Sequence, residues 1–215
     1  MTYLELVNAV LRRLREKEVG TVSQTAYSKL IGDFINESKA QIENAWDWSS
    51  LRTTLALNTT AGVFNYELNG TQNNFEILDV WNDTSNIEMT PKSAHWFNAE
   101  FLTAEPQPGP PTFYNFNGVS ADGDAQVDVY PVPDGVYSLL FNVSLRNRVL
   151  NDDNDVIYIP HRPVILTALA MAIEERGEDG GQQSVNAYMM ASSAIADEIS
   201  YDAARHPEDT VWYSV

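Results

Sequence analysis

Three histidines, His95, His161 and His206, are the first residues to test for chemistry. They are widely separated, and none has a second histidine or a carboxylate at a ligand spacing on the same helix, which argues against a zinc site. The chain has no cysteine, so disulfides, thiolate metal sites and thiol catalysis are excluded. Asp152-Asp153-Asn154-Asp155 and Asp122-Gly123-Asp124 resemble calcium loops superficially. Neither has the glycine at position six and the glutamate at position twelve that an EF-hand needs, and both read as solvated acidic turns. Gly177-Glu178-Asp179-Gly180-Gly181 is glycine-rich and opens a helix. Its two carboxylates would repel a phosphate and no lysine follows, so it reads as a helix–helix turn. No G-x-S-x-G elbow is present. Thirty acidic residues always include some pair at a glycosidase separation once folded, so paired carboxylates carry no signal here. Trp46-Asp47-Trp48 could stack on a sugar, but aromatics closing an amphipathic helix where a β region begins read first as core. No residue is expected to be catalytic, to bind a cofactor or to ligate a metal.

The residues that could dock a partner are clearer. Arg12, Arg13, Arg15 and Lys17 form the only concentration of positive charge, and read either as a solvated helix face or as a docking face for an acidic neighbour. From Asn151 to Val215 there are twelve acidic and three basic residues, a net of −9, which complements that cluster within the chain or between subunits. The last residues, Glu208 to Val215, follow the helix-ending Pro207 and place Trp212 and Tyr213 in a terminal tail. Aromatics at such a terminus are expected to anchor onto something.

Four amphipathic helices must position these features. Thr2-Tyr3-Leu4-Glu5 has capping-box spacing, and Leu4, Val7, Val10, Leu11 and Leu14 recur at helical intervals in a segment running to Gly20. Thr21-Val22-Ser23-Gln24 repeats the capping pattern before a second helix, with Tyr27, Ile31, Phe34, Ile35 and Ile42 in its stripe, ending near Trp48. From Leu51 the period becomes alternating. Leu51 to Leu57, Val63 to Tyr66, Phe75 to Trp81 and Ile87 to Met89 read as strands separated by turn-forming clusters. Thr90-Pro91 reads as an N-cap and first-turn proline of a short helix through Phe101, and Glu105 to Pro111 as an extended surface connection. Thr112 to Phe116 is another strand. Gln126 to Leu145 reads as a hairpin, with Val127 and Val129 in one arm, Tyr137, Leu139, Phe141, Val143 and Leu145 in the other, and Pro133-Asp134-Gly135 as the turn. Helical periodicity returns with Val164, Ile165, Ala168, Leu169, Ala172 and Ile173, stopped by Gly177. A last stripe comprises Val185, Tyr188, Met189, Ser192, Ile195, Ala196 and Ile199.

The economical assembly is an α+β fold. The helical hairpins at 1–50 and 151–206 pack as a four-helix bundle, an antiparallel β domain at 51–150, sandwich or barrel-like, is inserted between them, and 207–215 is an extension. With 44% hydrophobic residues the chain can bury a core. A net charge of −17 makes a sequence-reading DNA binder or a partner of anionic membranes improbable. No window reaches the roughly 18 continuous apolar residues of a membrane span. The first residues have the wrong order of charge and apolarity for a signal peptide, so a cytosol-like site of synthesis is expected.

The capped helix pair ending in Trp-x-Trp-x-x-Leu-Arg (Trp46 to Arg52), the β region, the segment Asp128-Val129-Tyr130-Pro131-Val132-Pro133-Asp134-Gly135-Val136-Tyr137 and the closing helical hairpin together resemble the head-to-tail adaptor proteins of short-tailed bacteriophages. These are also called tail tubular protein A or gatekeeper-type connectors. The resemblance implies a non-enzymatic virion protein of the tail or neck, made in the host bacterial cytoplasm. It implies a ring, commonly of twelve subunits, under the portal protein and above the tail nozzle, with ejected DNA passing through its lumen unbound. It implies that the C-terminal extension, here Pro207, Val211, Trp212, Tyr213 and Val215, grips the portal. An acidic lumen suits such passage, because a basic one would hold phosphates. Two other readings remain open at this point: a carbohydrate-binding or glycan-degrading tail module, and another tail-tube or head-completion protein.

Overall fold

The computed structural model describes residues 1–71, 75–102, 105–146, 149–177 and 181–205. It is α+β, and the chain divides into two compact units. One is helical and comprises Met1–Leu51 with Asn147–Val215, of which 149–177 and 181–205 are described after the break. The other is the β unit, Arg52–Arg146.

In the helical unit, α1 (Tyr3–Arg13) begins where expected. Thr2 Oγ1 accepts the Glu5 N–H and the Glu5 carboxylate accepts the Thr2 N–H at 2.9 Å, satisfying two end donors reciprocally. It stops at Arg13 rather than running towards Gly20. Arg15 adopts a left-handed backbone (φ 60°), its N–H bonds the Arg12 carbonyl, and the Glu16 N–H bonds the Leu11 carbonyl at 2.9 Å. This pair of bonds is a Schellman cap, with arginine at the position that usually takes glycine. Asn8 then bonds both backbone groups of Val19 and ties down the connection. Residues Val22–Gln24 form a short 3-10 turn instead of a cap, and Thr25 with Ser28 makes the capping box of α2 (Ala26–Ala45). At Gly32 α2 comes so close to Tyr3 that an added Cβ would overlap the tyrosine hydroxyl. Lys39 and Glu43, one turn apart on α2, form a buried ion pair at 3.0 Å.

The closing helices are α4 (His161–Arg176), stopped by the left-handed Gly177, and α5 (Gln182–Ala203). α4 packs on α1, α2 and α5 and contributes Val164, Ile165, Ala168 and Ala172 to the core. The stripe expected for α5 is its inward face only in part, with Ile195 and Ile199 packed against the core. Val185, Met189, Ser192 and Ala196 are exposed, whereas Ser184, Ala191, Ala194 and Asp202 are buried and Ile195 and Ile199 half-buried. Small residues, Ser184, Ala191 and Ala194, are the fully buried ones on α5, which packs on the alanine-rich α4, and of the larger apolar side chains Ile195 and Ile199 join the core while Val185 and Met189 do not. Among the described residues no helix is long and apolar enough to cross a membrane.

The β unit holds β1 (Arg52–Asn58), β2 (Asn65–Leu68), β3 (Phe75–Asn82), β4 (Ile87–Glu88), β5 (Thr90–Pro91), α3 (Ala94–Leu102), β6 (Phe113–Val119), β7 (Ala125–Tyr130) and β8 (Ser138–Leu145). They form two four-stranded sheets, ordered β1-β8-β3-β4 and β2-β7-β6-β5, which share one core containing Val80, Phe141, Val143, Tyr114, Val127 and Val129. The expected hairpin is therefore absent: β7 and β8 alternate as predicted but belong to different sheets. The physical cause lies between them. Pro131 and Pro133 have no N–H for a ladder, and Val132 donates to the Gln107 carbonyl and accepts from the Gly109 N–H, which leads the chain away from its preceding strand. Thr90-Pro91 is also not a helix cap. It pairs in parallel with β6, and Ser93, whose Oγ accepts the Trp96 N–H at 3.3 Å, precedes α3. The connection at 105–111 is extended but partly inside, with Gly109 and Pro111 buried.

Candidate functional site: docking surfaces of the helical unit

At one end of the helical unit, the side chain of Asp202 ties the last turn of α5 to the segment following α2. Asp202 is buried, and its carboxylate accepts the Trp46 indole N–H at 3.1 Å, the Ser49 N–H at 3.0 Å and the Ser49 hydroxyl at 2.5 Å; the Arg205 guanidinium lies 3.8 Å away. The last turn of α5 is thereby fixed to the segment following α2. Nothing in composition flagged Asp202. Its only sequence signal is its register with the small residues Ala191 and Ala194, the face that packs. Beside it is a cleft of about 290 Å³, lined by Trp48, Tyr158, His161, Arg162, Tyr201 and Arg205 among others. Pro207, Val211, Trp212, Tyr213 and Val215 follow directly in sequence and lie outside the described residues.

Arg12, Arg13, Arg15 and Lys17 gather around the capped end of α1. Arg12 pairs with Glu18 at 3.1 Å, while Arg13, Arg15 and Lys17 are exposed and make no ion pair among the described residues. The complementary pairing runs the other way: Arg176, from the acidic half, bonds Glu16 at 2.7 Å and the Tyr27 hydroxyl at 2.9 Å. These two bonds, that to Tyr27 first, raise the Arg176 pKa. Two residues earlier on α4, Glu174 accepts from the Tyr188 hydroxyl at 2.8 Å, and burial together with that carboxylate pushes the phenol up to about 12. These links staple helices and present no reactive group.

The other chemically suggestive residues have structural uses. Trp48 is buried and donates to the Ile42 carbonyl at 2.7 Å. Asp153 accepts the Val22 N–H, and Asp155 accepts the N–H groups of Asn151 and Asp152, which holds its carboxyl below the ordinary value. His95 is exposed on α3 and His161 exposed at the start of α4, while His206 lies outside the described residues. No cluster of three metal-ligating side chains occurs among the described residues. The aromatics of the β unit are largely spent on packing: Trp96 meets Phe97, Phe113 and Tyr130 edge-on at 5.1 to 5.4 Å, and Phe101 lies 4.5 Å from Phe64.

The described residues thus offer exposed charge at the α1 end and a fixed end of α5. The sequence model described as SU10 adaptor protein matches residues 1–211. The chain belongs to the SU10 adaptor protein family. No curated protein matches it. As an SU10 adaptor it is an adaptor-type structural protein of a bacteriophage, a virion component that associates with other head or tail proteins.

Proposed function

We propose that this SU10 adaptor is a head-to-tail connector of a short-tailed phage. Copies form a ring, with twelve as the expected number, beneath the portal protein; the ring joins the portal to the tail nozzle and leaves a channel through which DNA is ejected. The observation that carries the reading is the family match over residues 1–211, which takes in both units. The charge supports it: a wall drawn from a chain of net charge −17 neither condenses on phosphates nor releases counterions to them. In this reading the extension from Pro207, with Val211, Trp212, Tyr213 and Val215, grips the portal, and Asp202 fixes the helix end from which it leaves. The exposed Arg13, Arg15 and Lys17, with Arg12, meet an acidic neighbour.

Mixing the protein with the portal protein of the same phage, followed by sedimentation and negative-stain imaging, tests this. Co-sedimentation and a ring on the portal are expected, and loss of Pro207–Val215 should abolish attachment while leaving helical content unchanged. Absence of both ring and co-sedimentation would overturn the reading. Equal binding by the truncated chain would overturn the role of the extension.

A further inference from the structure

The cleft beside Asp202 gathers positive charge that the acidic half of the chain otherwise lacks. From Asn151 to Val215 there are three basic residues. Arg176 is bonded to Glu16 and Tyr27, and the other two, Arg162 and Arg205, both line this cleft of about 290 Å³. Their side chains are more than half exposed and only loosely paired: Arg162 lies 3.7 Å from Asp197 and Arg205 3.8 Å from Asp202. A guanidinium bonded to a carboxylate sits at about 2.7 to 2.9 Å. The Asp202 carboxylate is meanwhile engaged by Trp46 and Ser49, and Glu198 is the other acid on the wall. Beside the charge is aromatic surface, with Tyr158 64% exposed and Tyr201 69%. Loosely paired guanidinium groups next to open tyrosine rings suit a segment that is both acidic and aromatic, carboxylates meeting the arginines and rings meeting the tyrosines.

The chain supplies such a segment at the cleft itself. α5 ends at Ala203, and Arg205, the last described residue, is part of the cleft wall. Residues 206–215 read His-Pro-Glu-Asp-Thr-Val-Trp-Tyr-Ser-Val, with two acids, two aromatics and, after His206, no base. Pro207 lacks the N–H that a further helical turn would use. Seven residues lead from Arg205 to Trp212, about 23 Å at full extension, which is enough to turn and return to a cleft on whose wall the segment starts.

We infer that residues 207–215 of the unattached protein fold back into this cleft of their own chain. Glu208 and Asp209 meet Arg205 and Arg162, and Trp212 and Tyr213 lie against Tyr158 and Tyr201. The chain's own segment has the advantage over any separate peptide of the same composition, because a short connection holds it at a millimolar effective concentration. The contact goes beyond the connector reading, in which the same residues grip the portal; where that reading holds, the cleft is the place from which the portal takes them.

The absence of cysteine makes the test direct. Full-length Ser50→Cys/Ser214→Cys places one thiol in the cleft lining, where Ser50 is exposed, and one in the segment. Its control, Ser200→Cys/Ser214→Cys, moves the first thiol to an exposed position of α5 outside the cleft. In dilute protein a short bismaleimide should link the first pair within one chain about tenfold faster than the second, the ratio expected when the docked state outweighs the free one by about ten to one. Adding Arg162→Ala and Arg205→Ala should lower that rate about two- to tenfold, the effect of losing two exposed ion pairs. Equal rates for the two thiol pairs overturn the inference, and so does a rate that the arginine replacements leave unchanged. Products joined between two chains overturn it too, by giving the cleft to the segment of a second copy. Portal co-sedimentation of the unmodified protein is read in parallel. Portal binding without excess cross-linking removes this contact alone, whereas cross-linking without portal binding removes the connector reading and keeps the contact.

Discussion

Replacing Asp202 tests whether one buried carboxylate fixes the end of α5. In Asp202→Ala the Trp46 indole and the Ser49 backbone lose their acceptor, as does the Ser49 hydroxyl. A buried donor left without a partner costs about 1 to 3 kcal/mol. The Trp46 side chain is 36% exposed, so water replaces part of its bond; the total is then about 2 to 3 kcal/mol. In Asp202→Asn the amide oxygen can keep both N–H donors, and the Ser49 hydroxyl can rotate to accept from the new amide, which limits the loss to about 1 kcal/mol. For a chain of this size the Ala variant should melt about 4 to 12 °C lower and the Asn variant about 2 to 4 °C lower. Far-UV circular dichroism follows the helices, and tryptophan fluorescence follows Trp46 and Trp48 against the constant background of the other three tryptophans. Equal losses in the two variants would show that the charge, not the number of acceptors, holds the helix end. A loss below about 1 °C in Asp202→Ala would refute the clamp.

Three further outcomes are expected. Gly32→Ala, which would gain about 1 kcal/mol from helix propensity in an open helix, should instead lower the melting temperature, because its Cβ overlaps the Tyr3 hydroxyl; Tyr3→Phe should recover part of the loss, and additive effects in the double variant would refute the close approach. Arg15→Gly should raise stability by about 0.5 to 1 kcal/mol, since glycine takes the left-handed cap without strain, and an unchanged urea midpoint would contradict that geometry. Asp155 has a depressed pKa in the folded state, so its contribution is present above the unfolded value and is lost as pH falls through the folded one. Asp155→Asn should therefore lessen the dependence of melting temperature on pH below about 4, and parallel curves for variant and parent would rule this out.

Much of the secondary structure was legible because strong local signals were present. The Thr2–Glu5 capping box, the α2 stripe and the Gly177 stop each depend on residues within a turn or two of one another. The failures occur where distant residues decide. The alternation of Val127, Val129, Phe141 and Val143 identifies two half-buried strands, but not which neighbour each pairs with; the bonds of Val132 to Gln107 and Gly109 determine that, and no local pattern contains them. Thr90-Pro91 has the chemistry of a helix start and becomes a strand because Thr112 and Tyr114 offer carbonyls to Thr90 and Lys92. The α5 stripe is right at Ile195 and Ile199 and wrong at Val185 and Met189, because hydrophobicity ranks these above Ala191 and Ala194, whereas packing on an alanine-rich helix favours the small residues. Of the candidate surfaces, the basic cluster was legible as a run of charge. Asp202 was not, since one acid among thirty has no compositional signal.

That last misassignment bears on how such a chain can associate at all. Folding and assembly both need apolar surface, and hydropathy alone does not separate the two uses. In α5 alanine and serine, with Ile195 and Ile199, serve the internal contact, and the flexible, polarizable Met189 and Met190 remain outside. Charge makes the same division at the opposite side of the composition. The exposed cations of the α1 end can act at range on an acidic neighbour, but only within the roughly 8 Å over which physiological salt leaves such attraction unscreened. The uncharged stretch of α5 from Gln182 to Ala196 has no such reach and no such sensitivity.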